Sequence, residues 1–307
     1  MLAAQSRDNQ EGAHLHVPVL VDAVCALLGK GGRPEILVDA TVGTGGHALA
    51  LLEAGAAQIV GLDLDERALA VAAARLGGFA GRVRLMKGNF AALGEALSGL
   101  GVDRVDGVLA DLGLSTFALE DPSRGFSFRS DGPLDMRMDL QAEPSAYELV
   151  NFTREEELSE MLRRYGEEPA ARRIARAIVA ARRSGPLTAT AQLRRVVERA
   201  GARGRMGRLH PATRTFQALR MAVNGELENL KLFLEQAPQR LKPRGRLVVI
   251  AYHSLEDRMV KTALRHLADS GDYELVGSAV VRPSASEVGC NRRARSAKLR
   301  CLERKAS

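Results

Sequence analysis

The first part of the chain alternates between short apolar runs and segments whose apolar residues have helical spacing. Four runs predict buried strands: EILVDATVG, QIVGLDLD, RVRLMKGNF and RVDGVLADLGLS. Two of the segments between them predict helices: HALALLEAGA and ERALAVAAARL. Alternating strands and helices are typical of a parallel, doubly wound α/β sheet with its ligand at the carboxyl ends of the strands. We therefore predict an α/β fold with a site at that edge.

The alternation stops after the fourth predicted strand, and the next part of the chain has helical patterns. Thr153 and Glu156 predict a capping box at the start of one helix, and Gly166 predicts its end. Pro169 predicts the start of a second helix, and Gly201 predicts the end of a third. This part therefore reads as a helical insertion.

The strand and helix pattern then resumes with RGRLVVIAYHS and LEDRMVKTALRHLA, which predict a fifth strand and the helix after it. The helical part thus interrupts a single α/β domain. We predict that residues 1–118 and 211–307 form that domain and that residues 119–210 form an inserted helical substrate-binding domain.

Composition places the chain among globular proteins, with 307 residues, 46% hydrophobic and 26% charged. Its N-terminal residues are polar, and no apolar stretch approaches the roughly 20 residues that span a bilayer. The cysteines, Cys25, Cys290 and Cys301, are odd in number and lack metal-binding spacing. We expect a soluble, cytoplasmic protein with reduced thiols, no membrane partner and no metal site.

The net charge of +7 is concentrated in one region. Between Arg154 and Arg214 there are 15 Arg, no Lys and 7 Glu, a local balance of +8. A second basic cluster, NRRARSAKLRCLERK, closes the chain. Such runs are often solvated helix faces, but the planar fork of arginine suits phosphate. Two arginine-rich clusters therefore favour a nucleic acid partner.

A glycine-rich turn, VDATVGTGGHA, follows the first predicted strand. Gly43, Gly45 and Gly46 let a ligand approach the backbone at the start of a helix, although a tight turn without a ligand has the same pattern. Asp63 ends the second predicted strand about twenty residues later, where a carboxylate can accept both ribose hydroxyls of a cofactor. Together these features favour an adenosine-containing cofactor.

S-adenosylmethionine and NAD share that ribose contact but differ elsewhere. S-adenosylmethionine carries an ammonium group and a sulfonium group and no pyrophosphate, so Asp39, just before the glycines, favours it. Phe90 follows the third predicted strand, where its ring can flank adenine. His47 fits either a cofactor contact or a packing role in the first helical turn. We find no nicotinamide site, and S-adenosylmethionine is the predicted cofactor.

The stretch RGFSFRSDGPLDMRMD, residues 124–139, is too polar for a core strand and too aromatic for an ordinary linker. Phe126 and Phe128 can stack on an extruded base or its neighbour, while Arg124 and Arg129 can meet phosphates. In the alternative interpretation, the two rings anchor the inserted domain to the sheet.

Several long motifs occur together in one order along the chain: HVPVL, VDATVGTGGHA, DLGLS, RGFSFRSDGPLDMRMD, YGEEPAARRIARAI, HPATRTFQALRMAVNGEL, HSLEDRMVK and NRRARSAKLR. Over nearly its whole length the chain resembles the bacterial ribosomal RNA small subunit methyltransferase H family, also called MraW. The resemblance implies a class I, Rossmann-like methyltransferase sheet with an inserted helical domain. It also implies S-adenosylmethionine as methyl donor and N4 of a cytidine in the decoding centre of 16S rRNA as acceptor. The implied partner is 16S rRNA within the small ribosomal subunit.

The same resemblance implies which residues contact the cofactor: Gly45, Gly46, His47, Asp63, Phe90 and Asp111. One position departs from the family pattern. Ala118 stands where a cofactor-contacting glutamine is expected, because TFALE follows DLGLS here. A backbone group then replaces that contact, or the cofactor is held less tightly.

Methylation of a cytosine amine needs an acceptor that hydrogen-bonds the amine and helps its proton to leave. Asp111, at the carboxyl end of the fourth predicted strand, is the candidate general base, although a cap of the following turn is an alternative role. Ser115, His253 and Asn224 are further candidates for binding the base edge.

Other functions fit parts of this pattern. The α/β half alone is compatible with a methyltransferase acting on another nucleic acid or on a protein amine. A non-catalytic RNA-binding assembly factor that keeps a cofactor pocket is compatible with Ala118. An NAD-linked oxidoreductase is the least favoured.

Overall fold

The computed structural model describes residues 18–29, 32–114, 116–201, 210–277 and 280–306. Within these ranges seven strands form one sheet, in the order β3-β2-β1-β4-β5-β7-β6. The strands are β1 (Ile36–Asp39), β2 (Gln58–Asp63), β3 (Val83–Lys87), β4 (Val105–Asp111), β5 (Leu241–Ala251), β6 (Tyr273–Leu275) and β7 (Lys298–Arg304). Strands β1 to β5 are parallel, whereas β7 runs antiparallel between β5 and β6. The predicted α/β class and all five predicted strands are confirmed.

Strand β7 lies in the closing basic cluster, which the sequence analysis treated only as a charged run. Its apolar residues are buried, with Leu299, Cys301 and Leu302 each at most 5% exposed. The charged residues that alternate with them hide the strand pattern when only the composition of the cluster is considered.

The helices of the described residues complete the layers around the sheet. They are α1 (Val21–Leu28), α2 (Gly46–Glu53), α3 (Glu66–Arg75), α4 (Leu93–Gly99), α5 (Thr116–Glu120), α6 (Ala146–Phe152), α7 (Glu155–Gly166), α8 (Ala171–Arg182), α9 (Thr190–Arg199), α10 (Thr213–Asn224), α11 (Glu226–Gln236), α12 (Ser254–Asp269) and α13 (Ala285–Cys290). None of them has the length and apolar character needed to cross a bilayer.

Two apolar layers cover the two faces of the sheet. Successive residues of β1 point to opposite faces, so Leu37 packs with Leu51 of α2, while Val38 packs with Phe233 of α11. Because both faces are covered, the central strands are apolar throughout, as expected for a parallel sheet. The carboxyl ends of the strands are left to form a site.

A third apolar core lies in the inserted part, where α6 to α10 pack together. Its fully buried residues include Leu158, Ile174 and Leu193. Helix α10 shares this core, although the predicted boundary at residue 210 assigned it to the α/β domain. The packing places α10 with the inserted helices, and the division at 118 and 210 stays a prediction.

The capping box predicted from Thr153 and Glu156 is wrong. Helix α7 begins at Glu155, and its N-cap residue makes no side-chain hydrogen bond. The capping box belongs to the preceding helix, α6, where Ser145 and Glu148 satisfy each other's backbone groups. The predicted end at Gly166 is confirmed, since α7 ends there.

Candidate active site

A cleft opens at the carboxyl ends of β1, β2, β3 and β4. One end is formed by the loops after these strands, and the other end by the inserted segment and the junction between α10 and α11. Its lining residues are Ala40, Thr41, Gly43, Asp63, Leu64, Asp65, Gly88, Phe90, Asp111, Leu112, Gly113, Leu114, Ala118, Arg124, Met138, Asn224, Glu226, Asn229, Leu230 and Glu256. Parallel strands bring these distant stretches to one edge.

The turn between β1 and α2 brings backbone amides to the cleft. Gly43 lines the cleft and has a φ of 50°, and its N–H donates to Oδ2 of Asp63 over 2.8 Å. Gly45 has a φ of 80°, which favours glycine, and a Cβ on Gly46 would lie 3.1 Å from the Pro18 ring. The glycines thus set the shape of the turn, and Gly43 itself faces the ligand space.

Asp63 ends β2 at the rim of the cleft. Its other oxygen, Oδ1, accepts the N–H of Asp65 over 2.9 Å, so two backbone amides orient the carboxylate. Burial raises the pKa of Asp63 despite those bonds. A carboxylate held in this way has free lone pairs for a pair of ribose hydroxyls.

Asp39 lies deeper, at the end of β1, and is 1% exposed. Burial raises its pKa to about 6, while His47 and the Thr41 amide act in the opposite direction. A buried carboxylate with a raised pKa gains from a positively charged ligand group nearby. Asp39 does not line the cleft, but Ala40 and Thr41 after it do, so its charge can act on the ammonium or sulfonium end of S-adenosylmethionine from behind them.

An apolar slot lies between the loops after β2 and β3. Leu64 and Phe90 line it, and Gly88 between them has no side chain to fill it. The Phe90 ring meets the Phe233 ring edge-on, with centroids 5.4 Å apart, and this contact fixes its position. The slot suits a flat purine ring.

Asp111 ends β4 in the middle of the cleft. Its backbone N–H donates to Oγ1 of Thr41 over 2.7 Å, and its Oδ2 lies 3.8 Å from Nδ1 of His47. Nε2 of His47 lies 2.9 Å from the Val19 carbonyl oxygen, so Nε2 carries a hydrogen. His47 is 6% exposed and does not line the cleft, so it lies behind Asp111.

Tyr252 is a site residue that the sequence analysis missed. Its hydroxyl hydrogen-bonds to Asp111, and burial together with that carboxylate raises the pKa of Tyr252 far above its usual range. The phenol therefore stays neutral and donates its hydrogen to the Asp111 carboxylate. A Cβ on Gly113 would lie 2.7 Å from the Tyr252 ring, so a glycine at this position of DLGLS leaves room for the ring.

The predicted role of His253 at the base edge is contradicted by its hydrogen bonds, whereas Asn224 lines the cleft and its contact with the base stays a prediction. Asn224 accepts from Met138 N over 2.7 Å and donates to the carbonyls of Met136 and Arg220, each over 2.8 Å. Its amide therefore ties the inserted segment to α10.

His253 is the N-cap of α12, and its Nδ1 accepts the N–H of Glu256 over 3.3 Å. Its Nε2 lies 2.9 Å from the Glu256 carboxylate. Both ring nitrogens thus face Glu256 rather than the cleft, which His253 does not line. Ser115, the remaining candidate, lies outside the described residues.

The predicted phosphate contact of Arg124 is also wrong, because the side chain is buried. Arg124 is 2% exposed, and its Nη1 lies 2.6 Å from Oδ2 of Asp65. Its Nη2 donates to the carbonyls of Arg137 and Met138 over 2.8 and 3.0 Å. Phe126 is 6% exposed in the inserted core, so its ring packs there and is closed to a base.

Two further ion pairs hold the stretch that contains Arg124 and Phe126. We call this stretch, residues 121–139, the motif segment. Arg67 of α3 pairs with Asp121 over 2.7 Å, and Lys87 of β3 lies 3.5 Å from Asp139. Arg124 lies between these two points. The motif segment is therefore fastened along the cofactor end of the cleft.

Phe128 and Arg129 keep part of the predicted RNA-binding role. The Phe128 ring stacks on His210 at 4.6 Å and meets Phe216 edge-on at 5.2 Å, so it is partly packed. Arg129 is exposed, and among the described residues no carboxylate pairs with it. Their contacts with RNA stay a prediction.

A carboxylate and imidazole cluster lies on the cleft wall. Among the residues that the structure describes, Glu226, His253 and Glu256 bring possible ligand atoms within 4.8 Å of one another. Arg220 already donates to both oxygens of Glu226, each over 2.7 Å, and Glu256 accepts the N–H of Tyr252 over 2.9 Å. We interpret the cluster as an internally compensated ion-pair network.

A parallel sheet that brings Asp63 and Asp111 into one cleft, with Asp39 buried at the end of β1, is the arrangement of S-adenosylmethionine-dependent methyltransferases, and this protein is one of that class. The model of the MraW methylase family matches residues 13–305. The chain belongs to that family.

Curated relatives agree with this assignment. The chain is 49% identical over 289 residues to ribosomal RNA small subunit methyltransferase H of Sorangium cellulosum, covering 94% of this chain and 90% of that protein. It is 47% identical over 310 residues to the protein of the same name in Nitratidesulfovibrio vulgaris DP4, covering 94% and 95%. Among solved structures, an rRNA methylase from Streptococcus thermophilus has a TM-score of 0.42 at 12% identity, covering 95% of this chain and 99% of that one.

Proposed function

We propose that this protein transfers a methyl group from S-adenosylmethionine to N4 of a cytidine in the decoding centre of 16S rRNA, within the small ribosomal subunit in the cytoplasm. Support comes from the names of its relatives, which are ribosomal RNA small subunit methyltransferases. The observation that carries the chemistry is Asp111, a carboxylate at the centre of the cleft with Tyr252 donating to it.

Different residues bind different parts of the cofactor. Asp63 accepts the ribose hydroxyls, Leu64 and Phe90 flank the adenine, and the buried Asp39 acts on the charged methionine end from behind Ala40 and Thr41. When bound there, S-adenosylmethionine supplies an electrophilic methyl group. Ala118 lines the cleft, and its methyl side chain offers no polar group at the position where the family has glutamine.

Asp111 acts on the acceptor. The lone pair of a cytosine amine is delocalised into the ring, so the amine is a poor nucleophile until a hydrogen-bond acceptor favours a pyramidal nitrogen. The Asp111 carboxylate accepts one amine hydrogen and takes that proton as the new N–C bond forms. Tyr252 holds the carboxylate in place and keeps it ionised before the reaction. The target base leaves its stack to reach this point, at a cost of a few kcal/mol in a duplex.

The test uses small ribosomal subunits that lack the modification, with naked 16S rRNA in parallel and labelled S-adenosylmethionine as donor. Nucleoside analysis of subunits after reaction should give N4-methylated cytidine. Label in another nucleoside, or only in protein, would overturn the acceptor assignment. Binding of subunits without any transfer would favour a non-catalytic assembly factor.

Asp111→Asn tests the base. The amide keeps the size of the carboxylate but accepts no proton, so kcat should fall by about 10²- to 10⁴-fold at saturating cofactor. The dissociation constant for S-adenosylmethionine is measured alongside by calorimetry. A variant that binds cofactor weakly and still turns over at the full rate when saturated would show that Asp111 only holds the cofactor.

A further inference from the structure

One face of helix α11 lines the cleft. Glu226, Asn229 and Leu230 lie on that face. Phe233 follows Asn229 by one turn, and its ring meets the Phe90 ring with centroids 5.4 Å apart. Phe90 forms one wall of the apolar slot that suits a purine. Asn229 therefore lies on the face of α11 that leads to this slot.

The far end of α11 is tied to the same wall of the slot. Nε2 of Gln236 donates to the Ala91 carbonyl over 2.7 Å, and its Oε1 accepts the N–H of Gly94 over 3.1 Å. Ala91 and Gly94 follow Phe90 closely in the chain. The helix and the slot therefore keep a fixed relative position.

The amide of Asn229 has a fixed orientation. Its Nδ2 donates to the carbonyl oxygen of Asn224 over 2.9 Å. A rotation that exchanged the two ends of the amide would bring Oδ1 against this carbonyl oxygen, and neither atom can donate. No residue that the structure describes donates a hydrogen bond to Oδ1, and Oδ1 is not a buried atom. Asn229 thus presents an acceptor and its second Nδ2 hydrogen to the cleft that it lines.

The neighbouring polar side chains of this wall are used within the fold. Both hydrogens of the Asn224 amide are donated to backbone carbonyls, and its Oδ1 accepts the N–H of Met138. Both oxygens of Glu226 accept from Arg220. The open acceptor is therefore a feature of Asn229 rather than of the wall as a whole.

We propose that the Asn229 amide recognises the amine edge of the cofactor adenine. Oδ1 accepts a hydrogen of the N6 amine, and the second Nδ2 hydrogen is donated to the ring nitrogen beside it, the bidentate pairing that an asparagine amide makes with adenine. The bond to Asn224 excludes the opposite orientation, so a purine with a carbonyl at C6 would set two acceptors against each other. This inference deepens the proposed function and rests on it for the position of adenine between Leu64 and Phe90.

The experiment measures the dissociation constants of S-adenosylhomocysteine and S-inosylhomocysteine by calorimetry on the full-length protein, without RNA. The second ligand carries a carbonyl and an N–H where adenine carries the amine and a ring nitrogen. The variants are Asn229→Ala and Asn229→Asp. Gln239→Ala is the matched control, because Gln239 also donates an amide hydrogen to a backbone carbonyl, over 2.9 Å, but does not line the cleft.

Wild-type protein should bind S-adenosylhomocysteine about 5- to 150-fold more tightly than S-inosylhomocysteine, the range expected for one bidentate pair. Asn229→Ala should lower this ratio by about fivefold or more, mainly by weakening S-adenosylhomocysteine. Asn229→Asp should lower it as well, because an ionised carboxylate cannot donate to the ring nitrogen. Gln239→Ala should leave the ratio unchanged. The ratio reports only on folded, binding-competent protein, so a partial loss of stability does not alter it.

Other outcomes overturn the adenine contact. Equal weakening of both ligands in Asn229→Ala would show that the amide only holds α10 to α11, and so would an unchanged ratio in both Asn229 variants. An unchanged ratio together with a raised KM for ribosomal subunits would assign the amide to the RNA base instead. If the ratio changes as expected but wild-type protein transfers no methyl group to subunits, the adenine contact stands and the proposed reaction fails.

Discussion

Replacing Arg124 tests whether the motif segment is held by internal charge or binds RNA. The structure gives the side chain 2% exposure, one ion pair with Asp65 and two bonds to backbone carbonyls. Arg124→Met keeps the length and apolar stem and removes all three contacts. Breaking a buried ion pair by removing one partner costs about 3 to 5 kcal/mol. Asp65 keeps its bond from Arg67 N over 3.0 Å, so the lower end of that range, about 3 kcal/mol, is expected.

The assay is denaturant unfolding of the full-length protein, with cofactor affinity measured by calorimetry. Arg129→Met is the control, since an exposed arginine without an ion pair should change the free energy of unfolding by less than about 0.5 kcal/mol. Arg124→Met should also weaken cofactor binding, because Asp65 and Asp63 share the loop after β2. A cost below about 1 kcal/mol, together with a reduced salt slope for RNA, would refute the internal role and restore the phosphate contact.

Three further predictions follow from the cleft. Asp39→Asn should stabilise the cofactor-free protein by about 3 kcal/mol at pH 7, because the folded-state pKa of about 6 lies above the ordinary aspartate value of 3.8. That gain should disappear as the pH falls from about 6 to below 3.8, where the wild-type carboxyl is protonated in both states, and thermal unfolding across this range measures it. Tyr252→Phe removes a hydrogen bond to the Asp111 carboxylate, so the acid limb of the pH profile of kcat should move up by about 0.7 pH units, which corresponds to about 1 kcal/mol. An unmoved limb would show that Tyr252 only packs. Phe128→Ala should weaken RNA methylation more than cofactor binding, whereas an equal loss of both would support packing against His210.

Residues at the ends of strands were predictable from the sequence. Asp39, Asp63, Phe90 and Asp111 each follow an apolar run, and the geometry of a parallel sheet brings such positions together whatever lies between them. The contribution of Tyr252 was not predictable in this way. It follows β5 as well, but its role depends on a hydroxyl reaching a carboxylate on the neighbouring strand, and residue type alone does not show that contact.

A polar or charged side chain was assumed to be exposed and available for a ligand, and this assumption failed where the side chain has a partner within the protein. Arg124 and Arg129 lie in the same short stretch of sequence, and each has a phenylalanine one or two residues away. Arg124 is buried because Asp65, 59 residues away, supplies a partner. Asn224 likewise has partners that the sequence did not reveal, since its amide binds backbone groups 86 and 88 residues away. A single sequence records the polar side chain without recording the partner.

Salt should affect cofactor binding and RNA binding differently. The ion pairs that fasten the motif segment lie along the cofactor end, and the Arg124 pair is buried, with side chains 3% and 12% exposed. Buried pairs are screened by salt much less than exposed charges. RNA affinity, by contrast, must come from arginines that remain exposed, such as Arg129, Arg172 and Arg199. Rising salt should therefore release RNA while the motif segment and the cofactor stay in place, so that the two affinities separate in a salt titration although a single segment contributes to both sites.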